Sequence, residues 1–117
     1  MDIIEACKEL DDDKLLKYLH EEIELKGKYE ELIRTDENGW TSLDLVMKHK
    51  NSAAVMLKLI EIGGRELVMK KGANESTKLH SACYYNTPIE VVSKLIDIGG
   101  KEMGFDKEEV LFHNMEV

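Results

Sequence analysis

Apolar residues in this chain fall into short helical stripes, and the stripes return at a fixed interval. Between Thr77 and Gly100, Leu79, Ala82 and Cys83 lie along one side of a helix. Val91, Val92, Leu95 and Ile96, at i, i+1, i+4 and i+5, then form a broader stripe on a second helix. Polar punctuation separates the two. Thr77 caps the first helix, which must stop by Asn86 because Thr87-Pro88-Ile89-Glu90 is a second start signal. Thr87 can accept from the new first turn, Pro88 has a pre-set φ and no N–H to waste, and Glu90 can reach back to Thr87. The second helix is predicted over Ile89 to about Ile98, with Gly99-Gly100 as its stop.

The same grammar lies 36 residues upstream, where Thr41, Lys58 and Gly63 match Thr77, Lys94 and Gly99. Thr41 caps, Asp44 favours the helix N-terminus, and Leu43, Val46 and Met47 form the first stripe. Asn51 takes the capping place of Thr87, and Val55, Met56, Leu59 and Ile60 form the second stripe before Gly63-Gly64. Asp36-Glu37-Asn38-Gly39 is a tight-turn signal, since Asn-Gly tolerates positive φ. A weaker first unit aligns Ala6-Cys7 with Ala82-Cys83, Leu15-Leu16 with Val91-Val92, and Asp11 with the capping position. Its second helix is about one turn longer, carrying Tyr18, Leu19 and Ile23 before Gly27, and its outer side is polar with Glu21, Glu22, Glu24, Lys26 and Lys28. A fixed period in this range means one supersecondary unit stacked on copies of itself, with a more soluble unit at the end.

Composition then narrows the class. At 117 residues this is a single domain, and 43% hydrophobic with 34% charged residues is the balance of a folded, helix-rich chain. The net charge of −8 opposes a nucleic-acid backbone, and Lys48-His49-Lys50 is the densest basic cluster. No apolar run reaches the length of a membrane span, and Met1-Asp2-Ile3-Ile4-Glu5 lacks the order of a secretory signal. Cys7 and Cys83 occupy matching places in different units and read as small core residues of a reducing, intracellular compartment, not as a disulfide.

Thr77-x-Leu79-His80-Ser81-Ala82-Cys83, followed by Ile89-Glu90-Val91-Val92-x-x-Leu95-Ile96 and Gly99-Gly100, resembles the ankyrin repeat. That family reads Thr-Pro-Leu-His-x-Ala-Ala, a hydrophobic second helix, then Gly-Ala. The resemblance covers roughly residues 2 to 107 and implies an all-α, ankyrin-like helix-turn-helix solenoid of about three stacked repeats with short loops or hairpins between them. The units are about 2–35, 36–71 and 72–107, with 108–117 as a tail or truncated repeat. This chain departs from the pattern in several places. Ser42 and Lys78 stand where the family has proline, and Asp44 replaces the histidine in unit two. The segments Arg65 to Lys71 and Lys101 to Lys107 exceed the usual hairpin connection, which makes an extra helical turn the alternative to a hairpin arm.

The resemblance also implies a non-enzymatic module that binds a partner protein through its concave face and loop tips, with no cofactor. Matching positions here are Glu37, Asn38 and Trp40 at one tip, and Ala73, Asn74, Glu75 and Ser76 at the next. Lys48, His49, Tyr84 and Tyr85 are at the ends of the first helices. Trp40, Tyr84 and Tyr85 are the hot-spot candidates, because aromatic rings give large contact area with few rotamers to freeze. The other reading of Trp40 is packing across neighbouring loops. The second functional class is self-association, in which Val110, Leu111, Phe112 and Met115 at an uncapped C-terminal end pair with a second copy as a homodimer.

Chemistry has weaker signals. His80 and Cys83 have the i, i+3 spacing of a nucleophile pair or half a metal site, but the resemblance makes His80 a structural residue that bonds loop backbone. His20, His49 and His113 are each isolated in sequence. Asp11-Asp12-Asp13 lacks the alternation, glycine and distal glutamate of a calcium loop and reads as a helix cap. The paired glycines follow helices, whereas phosphate cradles precede them. A helix-turn-helix DNA reader would need basic and amide side chains where Val91, Val92, Leu95 and Ile96 call for burial.

Overall fold

Each helix begins at a residue whose neighbours leave it little choice. The computed structural model describes residues 1–100, and every regular element among them is helical. Asp2 caps α1 (Ile3–Glu9) by accepting from the Glu5 N–H at 2.9 Å, and Ile3, Ala6 and Cys7 turn inward. Leu10 is extended, so Asp11 can start again: its carboxylate accepts from Lys14 N–H at 2.9 Å and caps α2 (Asp12–Tyr18). The extra turn expected after Tyr18 is present as a π-turn, Leu19–Glu24, which buries Leu19 and Ile23 before Gly27 at φ 66°. A single 3-10 turn, Tyr29–Ile33, leads to the next unit.

Thr41 and Asp44 cap α3 (Ser42–His49) reciprocally, hydroxyl to backbone and carboxylate to backbone. All six residues from Ser42 to Met47 are buried, because α1 and two later helices, α4 (Ala53–Met69) and α5 (Lys78–Tyr84), all pack on this helix. Cutting Leu43 to alanine would cost about 2–5 kcal/mol, the range for a fully enclosed leucine. α4 (Ala53–Met69) follows, then α5 (Lys78–Tyr84), capped by Thr77, and α6 (Ile89–Gly99). Contacts run α1 to α3 to α5 among the first helices, and α2 to α4 to α6 among the second. The two rows share one core, to which both sets of expected stripes contribute.

Hydrogen bonds recur at the sequence period. Asp36 N–H donates to Trp40 O at 2.9 Å, and Gly72 N–H to Ser76 O at 2.8 Å. Gly39 N–H meets Asp36 O at 3.1 Å, and Glu75 N–H meets Gly72 O at 3.2 Å. The caps at Thr41 and Thr77 repeat as well, as do the bonds closing α3 (Asn51 N–H to Val46 O) and α5 (Thr87 N–H to Ala82 O). An antiparallel bridge between Thr35 and Thr41 closes the first tip, where Gly39 takes φ 88°.

Two expectations need correction. Ser52, not Asn51, caps α4 by accepting from Val55 N–H; Asn51 is occupied in closing α3 at φ 48°. Thr87 does not cap α6. Its N–H is used by α5, its hydroxyl is buried without a hydrogen-bond partner among the described residues, and Pro88 takes the cap position with its carbonyl accepting from Val91 and Val92. The stop read at Gly63-Gly64 is a break within the span of α4: Gly64 leaves the helical region at φ 57°, ψ −151°, and a further helical segment follows to Met69. Leu67 and Val68 are both fully buried, so apolar burial keeps that turn helical and makes Arg65 to Met69 helix instead of hairpin arm. The segment Lys101 to Lys107, the tail 108–117 with Val110, Leu111, Phe112 and Met115, and His113 lie outside the described residues.

Candidate functional site

The sharpest local chemistry lies where the two tips and the ends of α3 and α5 converge. The tips touch: a Cβ on Gly39 would stand 3.3 Å from Ala73 Cα. Trp40 leaves the first tip half-buried against the core, and its ring centroid is 6.2 Å from that of Tyr85 at 55°. Tyr84 meets Tyr85 edge-to-face at 4.8 Å and 82°, a favoured aromatic geometry. Tyr84 is nevertheless 81% exposed, unusual for a ring of that size. From α3, Lys48 Nζ lies over the Trp40 ring, 4.9 Å from its centroid.

These rings wall an open groove of about 500 Å³, whose lining also includes Ala73, Asn74, Ser76, His80 and Ser81. The lining mixes aromatic rings with the small residues Ala73, Ser76 and Ser81. The Tyr85 hydroxyl is held above the ordinary tyrosine range by partial burial, then by neighbouring Tyr84 and the Asp44 carboxylate. It therefore stays a neutral donor and acceptor at neutral pH.

Beneath the groove sits an ion pair. Asp44 Oδ2 accepts from Thr41 N–H at 3.1 Å and from the Thr41 hydroxyl at 3.0 Å, and it lies 3.4 Å from Lys78 Nζ. Lys78 also donates to the Lys70 carbonyl. Burial pulls the Lys78 pKa below the lysine range; Asp44 opposes that shift and the Lys70 ammonium adds to it.

Of the residues expected at the binding face, Trp40, Asn74, Tyr84 and Tyr85 line the groove together, and Lys48 joins them through Trp40. Glu37 and Asn38 are exposed on the first tip, where Asn38 N–H donates to Asp36 Oδ1 at 2.9 Å. Glu75 is exposed beside Lys71 at 3.8 Å, and His49 is the exposed last residue of α3. None of these four lines the groove. Trp40 packs against the core and also lines the groove.

His80 and Ser81 line the groove although the sequence pattern gives one a structural role and the other none. Spacing holds the missing signal: residues three and four positions before Tyr84 and Tyr85 share their helix face. His80 is exposed, with Nδ1 2.9 Å from the Thr77 hydroxyl. Cys83, three residues on, is partly buried and its thiol is raised by desolvation. Cys7 is buried and pushed up to about 12. Neither thiol is a nucleophile at neutral pH.

Asp11, Asp12 and Asp13 form an open basin with Lys50, but Asp11 is engaged as a cap and Lys50 donates to the Leu10 carbonyl. Among the described residues no group of three or more His, Cys, Asp or Glu is placed to hold a metal ion, and no helix is long and apolar enough to cross a membrane. No protein-family model, curated protein or solved structure matches the chain.

Proposed function

We propose that this chain is a non-enzymatic protein-binding module, built as an ankyrin-like stack of about three helix pairs, which holds its partner against the groove and the adjoining tips. One observation carries the reading: Trp40, Tyr84 and Tyr85, from a loop tip and a helix end of different units, meet at one open groove. An isolated exposed aromatic needs no explanation, but three linked through Tyr85 beside a concavity have the composition of an interface hot spot. The stacked-repeat build is supported by the hydrogen bonds that recur every 36 residues, such as Asp36 to Trp40 and Gly72 to Ser76. It is supported also by the order of helix contacts.

Such a module works by presenting a rigid surface. The caps, core and ion pair hold the backbone, and the side chains that differ between units read the partner. Lys48-His49 in one unit stands against Tyr84-Tyr85 in the next, and Trp40 against Ser76. Quantitative affinity capture tests the reading. Proteins enriched on the parent chain should be lost when Trp40, Tyr84 and Tyr85 are replaced by alanine; equal recovery on both would overturn it.

A further inference from the structure

The groove already holds a cation at its edge, and that cation belongs to the chain itself. Lys48 Nζ lies 4.9 Å from the centroid of Trp40, inside the distance at which a ring face attracts an ammonium or guanidinium. None of the residues lining the groove is a lysine or arginine. Exposed Glu37 and Glu75 lie within three residues, along the chain, of the lining residues Trp40, Asn74 and Ser76, and the whole chain carries a net charge of −8. Aromatic faces present the negative side of their quadrupole, and an acidic chain raises the local concentration of cations.

We propose that the groove takes an arginine side chain from a partner polypeptide, and that Lys48 is the internal competitor which that arginine displaces from Trp40. Arginine fits the walls better than lysine. Its planar guanidinium stacks on rings, and its five donors need several acceptors at once. The Asn74 amide and the hydroxyls of Ser76, Ser81 and Tyr84 supply them around the groove. A partner carboxylate is disfavoured by the net charge and by the ring faces, although Lys48 and His49 would attract it. Lys48 therefore has opposite consequences for the two kinds of partner, which makes the inference testable.

It rests on the groove being the binding face, so the experiment separates the two ideas. Trp40 is the chain's only tryptophan, and its indole N–H resonance and fluorescence report on the groove alone. The full chain is titrated with capped pentapeptides carrying a central Arg, Gln or Glu between glycines. The Arg peptide should move the indole signal and the Glu peptide should not. Exposed Lys48 can be changed without touching the core, and Lys48→Met should tighten Arg-peptide binding about two- to fivefold. Tyr84→Ala should weaken it. A Glu peptide that binds as well as the Arg peptide, or weaker Arg binding in Lys48→Met, would overturn the arginine assignment. An unmoved indole overturns it too, and leaves the binding face standing if partner capture still depends on Trp40, Tyr84 and Tyr85. Capture indifferent to those residues removes both.

Discussion

Asp44 and Lys78, both essentially closed to solvent, face each other at 3.4 Å between α3 and α5. The pattern read in the sequence would place a histidine at one of these positions and a proline at the other. The two side chains present instead meet in one buried arrangement. Lys78 lacks proline's pre-set φ but supplies a cation, and Asp44 supplies the charge that lets this cation be buried. Thr41 and the Lys70 carbonyl complete the arrangement, while Asp44 Oδ1 has no hydrogen-bond partner among the described residues. A buried pair of this kind is weak evidence of net stabilisation but strong evidence that its members depend on each other.

That dependence gives a double-mutant prediction. Asp44→Asn leaves Lys78 buried without its counter-charge and should cost about 3–5 kcal/mol, whereas Asp44→Asn with Lys78→Met should recover part of the loss. Urea denaturation of the four chains should give a coupling of about 1–3 kcal/mol. Additivity to within roughly 0.5 kcal/mol would mean the pair is incidental.

Gly72 and Gly64 should fail for different reasons. A Cβ at Gly72 would fall 2.4 Å from Asp44 Oδ2, so Gly72→Ala must displace the carboxylate from Lys78. Its cost, about 1–3 kcal/mol, should shrink in the Asp44→Asn, Lys78→Met background. Gly64→Ala meets no atom within 4 Å but must hold φ 57°, ψ −151°, where side chains are strained by about 1–3 kcal/mol. That cost should be the same in either background. Thermal melts of the four combinations decide it.

The two thiols should report different openings. Cys83 is only partly buried, whereas Cys7 is enclosed with a pKa pushed from 9.0 to about 12 by burial. Thiol-exchange kinetics at pH 8 should modify Cys83 first and Cys7 only at the rate of global unfolding. Cys7 has a folded pKa above its unfolded one, so the stability it contributes is fully present below pH 9 and lost as pH rises toward about 12. Cys7→Ala should flatten that alkaline decline. Equal modification rates for both thiols would contradict the burial assigned to Cys7.

Periodicity and caps made the helices legible. Leu79, Val91, Val92, Leu95 and Ile96 are all buried as their spacing demands, and Thr41, Thr77 and Asp11 cap as read. Boundaries were less legible where one residue had two possible duties. Asn51 and Thr87 look like caps, yet their N–H groups close the preceding helices. Gly63-Gly64 marks a real break, but the helical segment after it depends on the burial of Leu67 and Val68, which is a tertiary fact. Trp40, Tyr84 and Tyr85 were legible as candidates, but their meeting depends on the abutment of Gly39 and Ala73, which no local pattern encodes. The link between Asp44 and Lys78 was hidden for the same reason.

The binding face is the central claim, and one comparison tests it most directly. Tyr84 is 81% exposed, so Tyr84→Ala should change stability by no more than about 0.5 kcal/mol. Exposed Leu25, at the end of α2's π-turn extension and not part of the groove lining, gives a matched control in Leu25→Ala. Affinity for captured partners is then measured for the parent chain and both variants by the same quantitative assay. The expected result is at least a tenfold loss for Tyr84→Ala, about 1.4 kcal/mol or more, with Leu25→Ala unchanged. Full affinity in Tyr84→Ala together with a loss in Leu25→Ala would place the binding face elsewhere on the molecule.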